Sequence, residues 1–283
     1  MRIAQITDPH ITATGPGPGA AEVALAAVLA RAASLDPPPD RVVFTGDLTE
    51  HGTPEEYARF RAVVAGLDLP MAAVPGNHDR RDAFVAGLAG SGVEIGAGPF
   101  LHRALEDGPV RLLCLDTLGP PDSPAGLLCE ARLDWVAARL AEDDPRPVMI
   151  FMHHPPFRIG QRLADDSNCR GGDRLAAIVA RQPRVLGVAC GHAHLEARLA
   201  WAGTLGSICP AVATAVPLDN HPAAPLRMQP QPPAFQLHAW SPAIGLVSHT
   251  LRRPELARAV PVGRAAAGPG DSGRQAPRAG VSI

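Results

Sequence analysis

Lysine is absent: all 26 basic side chains of the 283-residue chain are arginine. Alanine, proline and glycine are abundant beside it, so the bias reads as that of a GC-rich coding sequence and carries no functional message. No apolar run is long enough to span a bilayer. The opening Met1-Arg2-Ile3-Ala4-Gln5-Ile6 lacks the pattern of a secretory leader, so a cytoplasmic location is expected. A net charge of -2, with no basic stripe, gives no general attraction to nucleic acid or to a membrane surface. Five cysteines, an odd number with no Cys-x-x-Cys pair, exclude a disulfide framework and a thiolate zinc site. They read as small buried hydrophobes. No internal repeat is visible, and no linker precedes the C-terminal tail.

What is present is a strand-helix alternation. Apolar runs at Arg2–Thr7, Arg41–Thr45, Met71–Val74, Val110–Asp116, Pro147–Met152 and Val185–Cys190 read as strands. Ala20–Leu35, the segment from Thr53 to about Leu67, Asp82–Leu88, Cys129–Glu142 and Asp173–Arg181 read as helices. Thr53-Pro54-Glu55-Glu56 is a capping box with proline at the first helical position. Phe157–Gly172 reads as a long polar loop. Period-2 segments at Ala197–Trp201, Phe235–Trp240 and Ile244–Leu251 suggest a second, mostly antiparallel sheet. The pattern predicts a layered α/β sandwich built on two sheets. Residues 1–251 form one predicted domain. Residues 252–283, rich in Arg, Pro, Gly and Ala, are expected to be a disordered tail.

Histidine is the informative residue. Six of the eleven, His10, His78, His153, His154, His192 and His194, adjoin one another or stand near Asp and Asn at strand ends. The strand ends carry Asp8/His10, Asp47, Asn77/His78, His153 and His192/His194. Such ends lie along one rim of a sheet, so residues distant in sequence can meet. The set holds two carboxylates, one amide and five imidazoles. Mixed nitrogen and oxygen donors suit Zn, Mn, Fe or Co better than Ca or Mg. Eight donor residues exceed what one tetrahedral ion needs. They suit two ions about 3.5–4 Å apart, bridged by one carboxylate. Asp8-x-His10 and His192-x-His194 are expected in extended chain, where residues two apart point the same way. Gly76 is expected to supply a turn that a side chain would not tolerate.

Asp8-x-His10, Gly46-Asp47, Gly76-Asn77-His78-Asp79, His153 and Gly191-His192-x-His194 together resemble the motif series of calcineurin-like metallophosphoesterases. The wider strings Phe151–Pro156 and Pro233–His238 resemble the bacterial class III cyclic-nucleotide phosphodiesterase and glycerophosphodiesterase branch. The resemblance covers about residues 1–251. It implies a four-layer α/β/β/α sandwich of two mixed sheets flanked by helices. It implies two divalent transition-metal ions, one on Asp8, His10, Asp47 and His194, the other on Asp47, Asn77, His153 and His192. His78 would face the phosphate without binding metal. Asn77 would serve as ligand and hydrogen-bond donor, and Asp79 would orient the His78 ring or cap the following helix. The implied reaction is hydrolysis of a small phosphodiester, a 3',5'-cyclic nucleotide or a glycerophosphodiester, by metal-activated water attacking phosphorus in line. A phosphomonoesterase or nucleotide pyrophosphatase on the same scaffold is the alternative. A noncatalytic binding module would have lost ligands or His78, and none is lost.

His154 is expected to point away from His153 in a structural role. Asp116 ends a strand where the family has no ligand; Asp165 and Asp166 read as solvated residues of the long loop or as substrate-facing ones, and His51 as a surface-loop histidine or a residue of the substrate mouth. The partner implied is a small phosphodiester, with no nucleic acid and no membrane; a homo-oligomer is left open. Deleting everything after Arg252 is expected to leave the melting temperature and activity nearly unchanged, because few apolar residues there could join a core. Thermal unfolding and turnover of the truncated chain check this, and a large loss in either would contradict it.

Overall fold

The computed structural model describes residues 1–13, 19–219, 221 and 227–252. The expected tail from 253 on, and most of the Gly/Pro-rich stretch after Thr12, lie outside the described residues. In chain order the elements are β1 (Arg2–Ile6), α1 (Ala20–Ala33), β2 (Arg41–Thr45), α2 (Pro54–Val64), β3 (Met71–Val74), α3 (Arg81–Leu88) and β4 (Val93–Glu94). Next come β5 (Arg103–Leu105), β6 (Arg111–Leu115), α4 (Glu130–Ala141), β7 (Val148–Met152), α5 (Arg162–Asp166) and α6 (Gly172–Val179). β8 (Val185–Cys190), β9 (Ala197–Trp201) and β10 (Thr204–Ile208) follow. A short ribbon, β11 (Thr214–Ala215) with β12 (Gln229–Pro230), precedes the hairpin β13 (Ala234–Ser241) and β14 (Gly245–Arg252).

Two six-stranded sheets result, in the orders β14-β13-β1-β2-β3-β4 and β5-β6-β7-β8-β10-β9. The first is parallel from β1 to β4 and antiparallel at β13 and β14; the second is parallel from β6 through β8 to β10 and antiparallel at both outer strands, β5 and β9. The middle strands are buried on both faces, which is why β7 (Val-Met-Ile-Phe-Met) reads as an unbroken apolar run and β2 (Arg-Val-Val-Phe-Thr) as one broken only at its ends. Ile3, Val43, Val74, Leu112, Met149 and Phe151 form the layer between the sheets. On the outer face of the first sheet, α1, α2 and α3 bury Leu25, Tyr57, Phe60 and Phe84. On the other, α4 and α6 bury Leu133, Val136 and Leu175. The four-layer α/β/β/α arrangement is therefore present. The capping box of α2 forms as expected: Thr53 accepts from the Glu56 amide and the Glu56 carboxylate accepts from the Thr53 amide.

Two expectations are corrected and one strand is added. The C-terminal hairpin does not make a separate antiparallel sheet. β13 pairs with β1 and completes the first sheet, while β9 closes the second through β10. β10 itself escaped notice, because Gly206 interrupts its apolar pattern where Phe157 packs against the strand. The polar stretch after His154 is not all loop, since α5 lies within it, with Gln161 accepting from the Ala164 amide at 2.6 Å. The C-terminal ends of β1, β2, β3, β7 and β8 meet at one rim. Hydrogen bonds from the Asp8 amide to the Gly46 carbonyl (3.1 Å) and from the Gly191 amide to the His153 carbonyl (3.0 Å) tie the loops there.

Candidate metal centre

The rim gathers all the histidine, aspartate and asparagine donors named from the sequence. Asp8 Oδ1 lies 3.4 Å from His194 Nε2 and 3.9 Å from His10 Nε2. His10 Nε2 is 3.6 Å from Asp47 Oδ2 and 3.1 Å from His194 Nε2. Asp47 Oδ2 is also 3.3 Å from His153 Nε2, which lies 3.2 Å from Asn77 Oδ1. Asp47 Oδ2 thus sits between two donor groups. The other Asp47 oxygen accepts from the His78 amide at 2.8 Å.

The imidazoles are held from behind. His153 Nδ1 donates to the Thr45 carbonyl at 2.7 Å, which makes Nε2 the nitrogen that faces Asp47. His10 Nδ1 meets Glu50 Oε2 at 2.8 Å, and His194 Nδ1 meets Thr214 Oγ1 at 2.9 Å. His192 contacts Ser167 Oγ through Nε2 at 2.8 Å, and its amide donates to Asp8 Oδ2 at 3.0 Å. Asp8 Oδ2 also accepts from the Thr7 hydroxyl at 2.6 Å. Asp8 Oδ1, by contrast, is buried with no hydrogen-bond partner. An anionic oxygen in that position is costly without a cation. The donors present therefore fit a pair of divalent ions, by the orphaned oxygen and by the convergence of Nε2 and carboxylate atoms.

Backbone conformation contributes. Among the described residues, seven non-glycine residues have positive φ, and five of them are Asp8, His10, Asp47, His192 and His194. The expectation of extended chain at the Asp-x-His and His-x-His pairs is corrected: these residues are left-handed, with φ of 53° and 48° for Asp8 and His10 and 71° and 50° for His192 and His194. Each such residue stores strain that the surrounding fold must hold. Gly76 is also corrected. It lacks a positive φ; its need is space, since a Cβ would fall on Asp47 Oδ1 and His153 Nε2.

Asp79 does not touch the His78 ring, and α3 is capped at Arg80, so both expectations for it fail. Its buried carboxylate accepts from the Leu48 and Gly76 amides (3.1 and 3.0 Å) and from the Tyr57 and Thr49 hydroxyls (2.8 and 3.2 Å). It staples the Asp47 loop to the Asn77 loop. Burial and the nearby Asp47 charge push its pKa up to about 6. The His78 ring is instead fixed by Glu50, whose carbonyl accepts from Nδ1 at 2.9 Å. One Glu50 carboxylate oxygen is 3.6 Å from the same nitrogen. His154 is buried and does not point away. The chain bends at 153–154, and its ring packs 4.7 Å from those of His153 and His192, with Nδ1 on Thr117 Oγ1 at 2.8 Å. Asp116 is occupied by a forked pair with Arg81 at 3.0 and 3.2 Å. Sequence reasoning missed Glu50, Thr214, Ser167 and the Thr45 carbonyl. Only Glu50 left a signal, an acid three residues beyond Asp47.

The charges are strongly coupled. Burial raises the Asp8 carboxyl, but His194 and His153 outweigh it and bring its pKa down to about 2. Asp47 lies well below its ordinary value, because His153 and His10 outweigh its burial. Burial lowers His10 and His153, but Glu50 and Asp47 for the first, and Asp47 for the second, raise each to about 9. Burial, and then the His153 charge, lower His192 to about 3.

The calcineurin-like phosphoesterase family model matches residues 1–196. The chain belongs to this family. It is 34% identical over 257 residues to a protein of Arcobacter nitrofigilis named probable glycerophosphodiester phosphodiesterase GpdQ, covering 88% of this chain and 92% of that one. It is 34% identical over 208 residues to a probable cyclic nucleotide phosphodiesterase of Rhodopseudomonas palustris, covering 72% and 75%. A dimetal phosphatase from Danio rerio has the same fold, with a TM-score of 0.64 at 14% identity, covering 87% of this chain and 98% of that one.

In the metal-free phosphoesterase, His10 and His153 carry protons at neutral pH that a cation must displace. Metal affinity should therefore climb with pH and level off above about 9. Calorimetric titration with Mn in buffers of different ionisation enthalpy should register about two protons released near pH 7. Binding without proton release would contradict this.

Proposed function

We propose that this phosphoesterase hydrolyses a small phosphodiester with two divalent transition-metal ions, Fe, Mn, Zn or Co. The observation that carries the reading is Asp47 Oδ2 standing between His10 and His153 while Asp8 Oδ1 is buried without a partner. Asp8, His10, Asp47 and His194 would hold one ion, and Asp47, Asn77, His153 and His192 the other. When bound, such ions activate water near neutral pH and neutralise charge on phosphoryl oxygens.

The chain's own groups do the rest. The His78 Nδ1–H is tied to the Glu50 carbonyl, so Nε2 is the nitrogen that faces the cavity, where it can protonate a leaving alkoxide. The ring stands edge-on to His10 at 4.7 Å, which fixes its tilt. Glu50 orders His10 and His78 together, and Asp79 sets the spacing of the loops that carry Asp47 and Asn77. The cavity above these groups has a volume of about 530 Å³. No arginine lines it among the described residues. A monoester dianion places two charges near the phosphorus and calls for added cationic donors, whereas a diester monoanion does not. The relatives named for glycerophosphodiester and cyclic nucleotide hydrolysis support the same choice.

Turnover of bis(4-nitrophenyl) phosphate should exceed that of 4-nitrophenyl phosphate at equal metal loading, and cyclic AMP should be cleaved detectably. The reverse ranking, reproduced with two metals, would sink the diesterase reading and leave the fold standing. His78→Ala should keep its metal, measured by elemental analysis, while kcat falls about 10²–10⁴-fold. Unchanged turnover, or loss of metal, would remove His78 from the proton-transfer role.

A further inference from the structure

The cavity has two unlike sides. Its floor is the polar rim of Asp47, Glu50, Asn77 and His78. Facing it, Leu163 and Ala164 of α5 and Val216 and Met228 of the connection between β11 and β12 form an aliphatic wall. Among the described residues, no Phe, Tyr or Trp lines the cavity, and no positive charge outside the histidines. Met228 is 50% exposed and Leu218, in the same connection, is 72% exposed. Apolar side chains left open beside a polar reaction floor are covered when a hydrocarbon group of the substrate lies against them.

Resting on the diesterase reading, we propose that this wall binds an uncharged, mostly hydrocarbon alcohol group of the diester, and that Leu163 and Met228 set that preference. A nucleoside is poorly served here. Its base would find no Phe, Tyr or Trp to stack on among the described residues, and its edge would meet Leu163, Ala164, Val216 and Met228; of the polar side chains beside them, Gln161 Oε1 is already bonded to the Ala164 amide, Ser167 to His192 and Thr214 to His194. An alkyl group loses nothing by leaving water and gains with each methylene. Met228, unbranched and polarisable, adapts to groups of different shape.

The test is a series of alkyl 4-nitrophenyl phosphates, methyl, ethyl, propyl and butyl, on the metal-loaded full-length enzyme. All share one leaving group, so kcat/KM reports the second alcohol. It should rise about fourfold per methylene, and the butyl ester should exceed thymidine 5'-(4-nitrophenyl phosphate), a nucleoside diester with the same leaving group. Leu163→Ser and Met228→Gln should each flatten the series, read as the butyl-to-methyl ratio within that variant. The ratio is independent of the fraction of active enzyme, and Met228 is exposed enough that its replacement does not threaten the fold. A flat series in the parent enzyme, an unchanged ratio in both variants, or the thymidine ester as the better substrate would overturn the inference while the diesterase reading stands. No turnover of any diester would overturn both.

Discussion

The carboxylate of Asp47 is the point on which the rim depends. One oxygen accepts from the His78 amide and so sets where the Asn77-His78 loop can lie. The other faces His10 from the first strand and His153 from the second sheet. Moving this group would disturb both donor sets and the loop that carries His78 together. Its position is secured by its left-handed backbone, by Gly76 leaving room beside it, and by Asp79 joining the loops underneath. Asp79 is thus a structural anion at the heart of a chemical site, satisfied by two amides and two hydroxyls so that it asks nothing of a cation.

The rim is locally unfavourable. Five donor residues sit at positive φ, and two buried aspartates stand close together. Strained backbone of this kind costs of order 1–3 kcal/mol per residue. The cost is offset by the layers below, where parallel strands buried on both faces leave the loops no freedom to relax. Strain at the chemistry and regularity elsewhere is the expected division in a folded enzyme.

Much of this was legible in the sequence, for a physical reason. Strands buried on both faces are apolar runs, so their ends are visible, and a polar donor directly after one must lie on the rim. Asp8, His10, Asp47, Asn77, His78, His153, His192 and His194 were found that way. The partners behind the imidazoles were not, because Thr214 and Ser167 reach the rim from segments with no strand pattern of their own. The Thr45 carbonyl is backbone and has no sequence signature. The left-handed conformation of Asp8 and His10 was hidden too, since Asp-x-His spells the same in extended and left-handed chain. The pairing of β13 with β1 was illegible because period-2 alternation says that a strand exists, not which neighbour it takes.

That pairing has a consequence for when the enzyme becomes whole. β1, made well before β13, lies third across its sheet, between β2 and a strand ending at Ser241. Thr214, which steadies His194, is anchored through its carbonyl by Gln231 at 3.0 Å. The earliest donors, Asp8 and His10, are synthesised long before the residues that complete their sheet and steady their neighbour. On the ribosome the chain carries an unfinished edge at β1, and its rim lacks the last supports until the final hairpin has emerged. The donor geometry of the rim is thus complete only once β13 and the contact of Gln231 with Thr214 are in place.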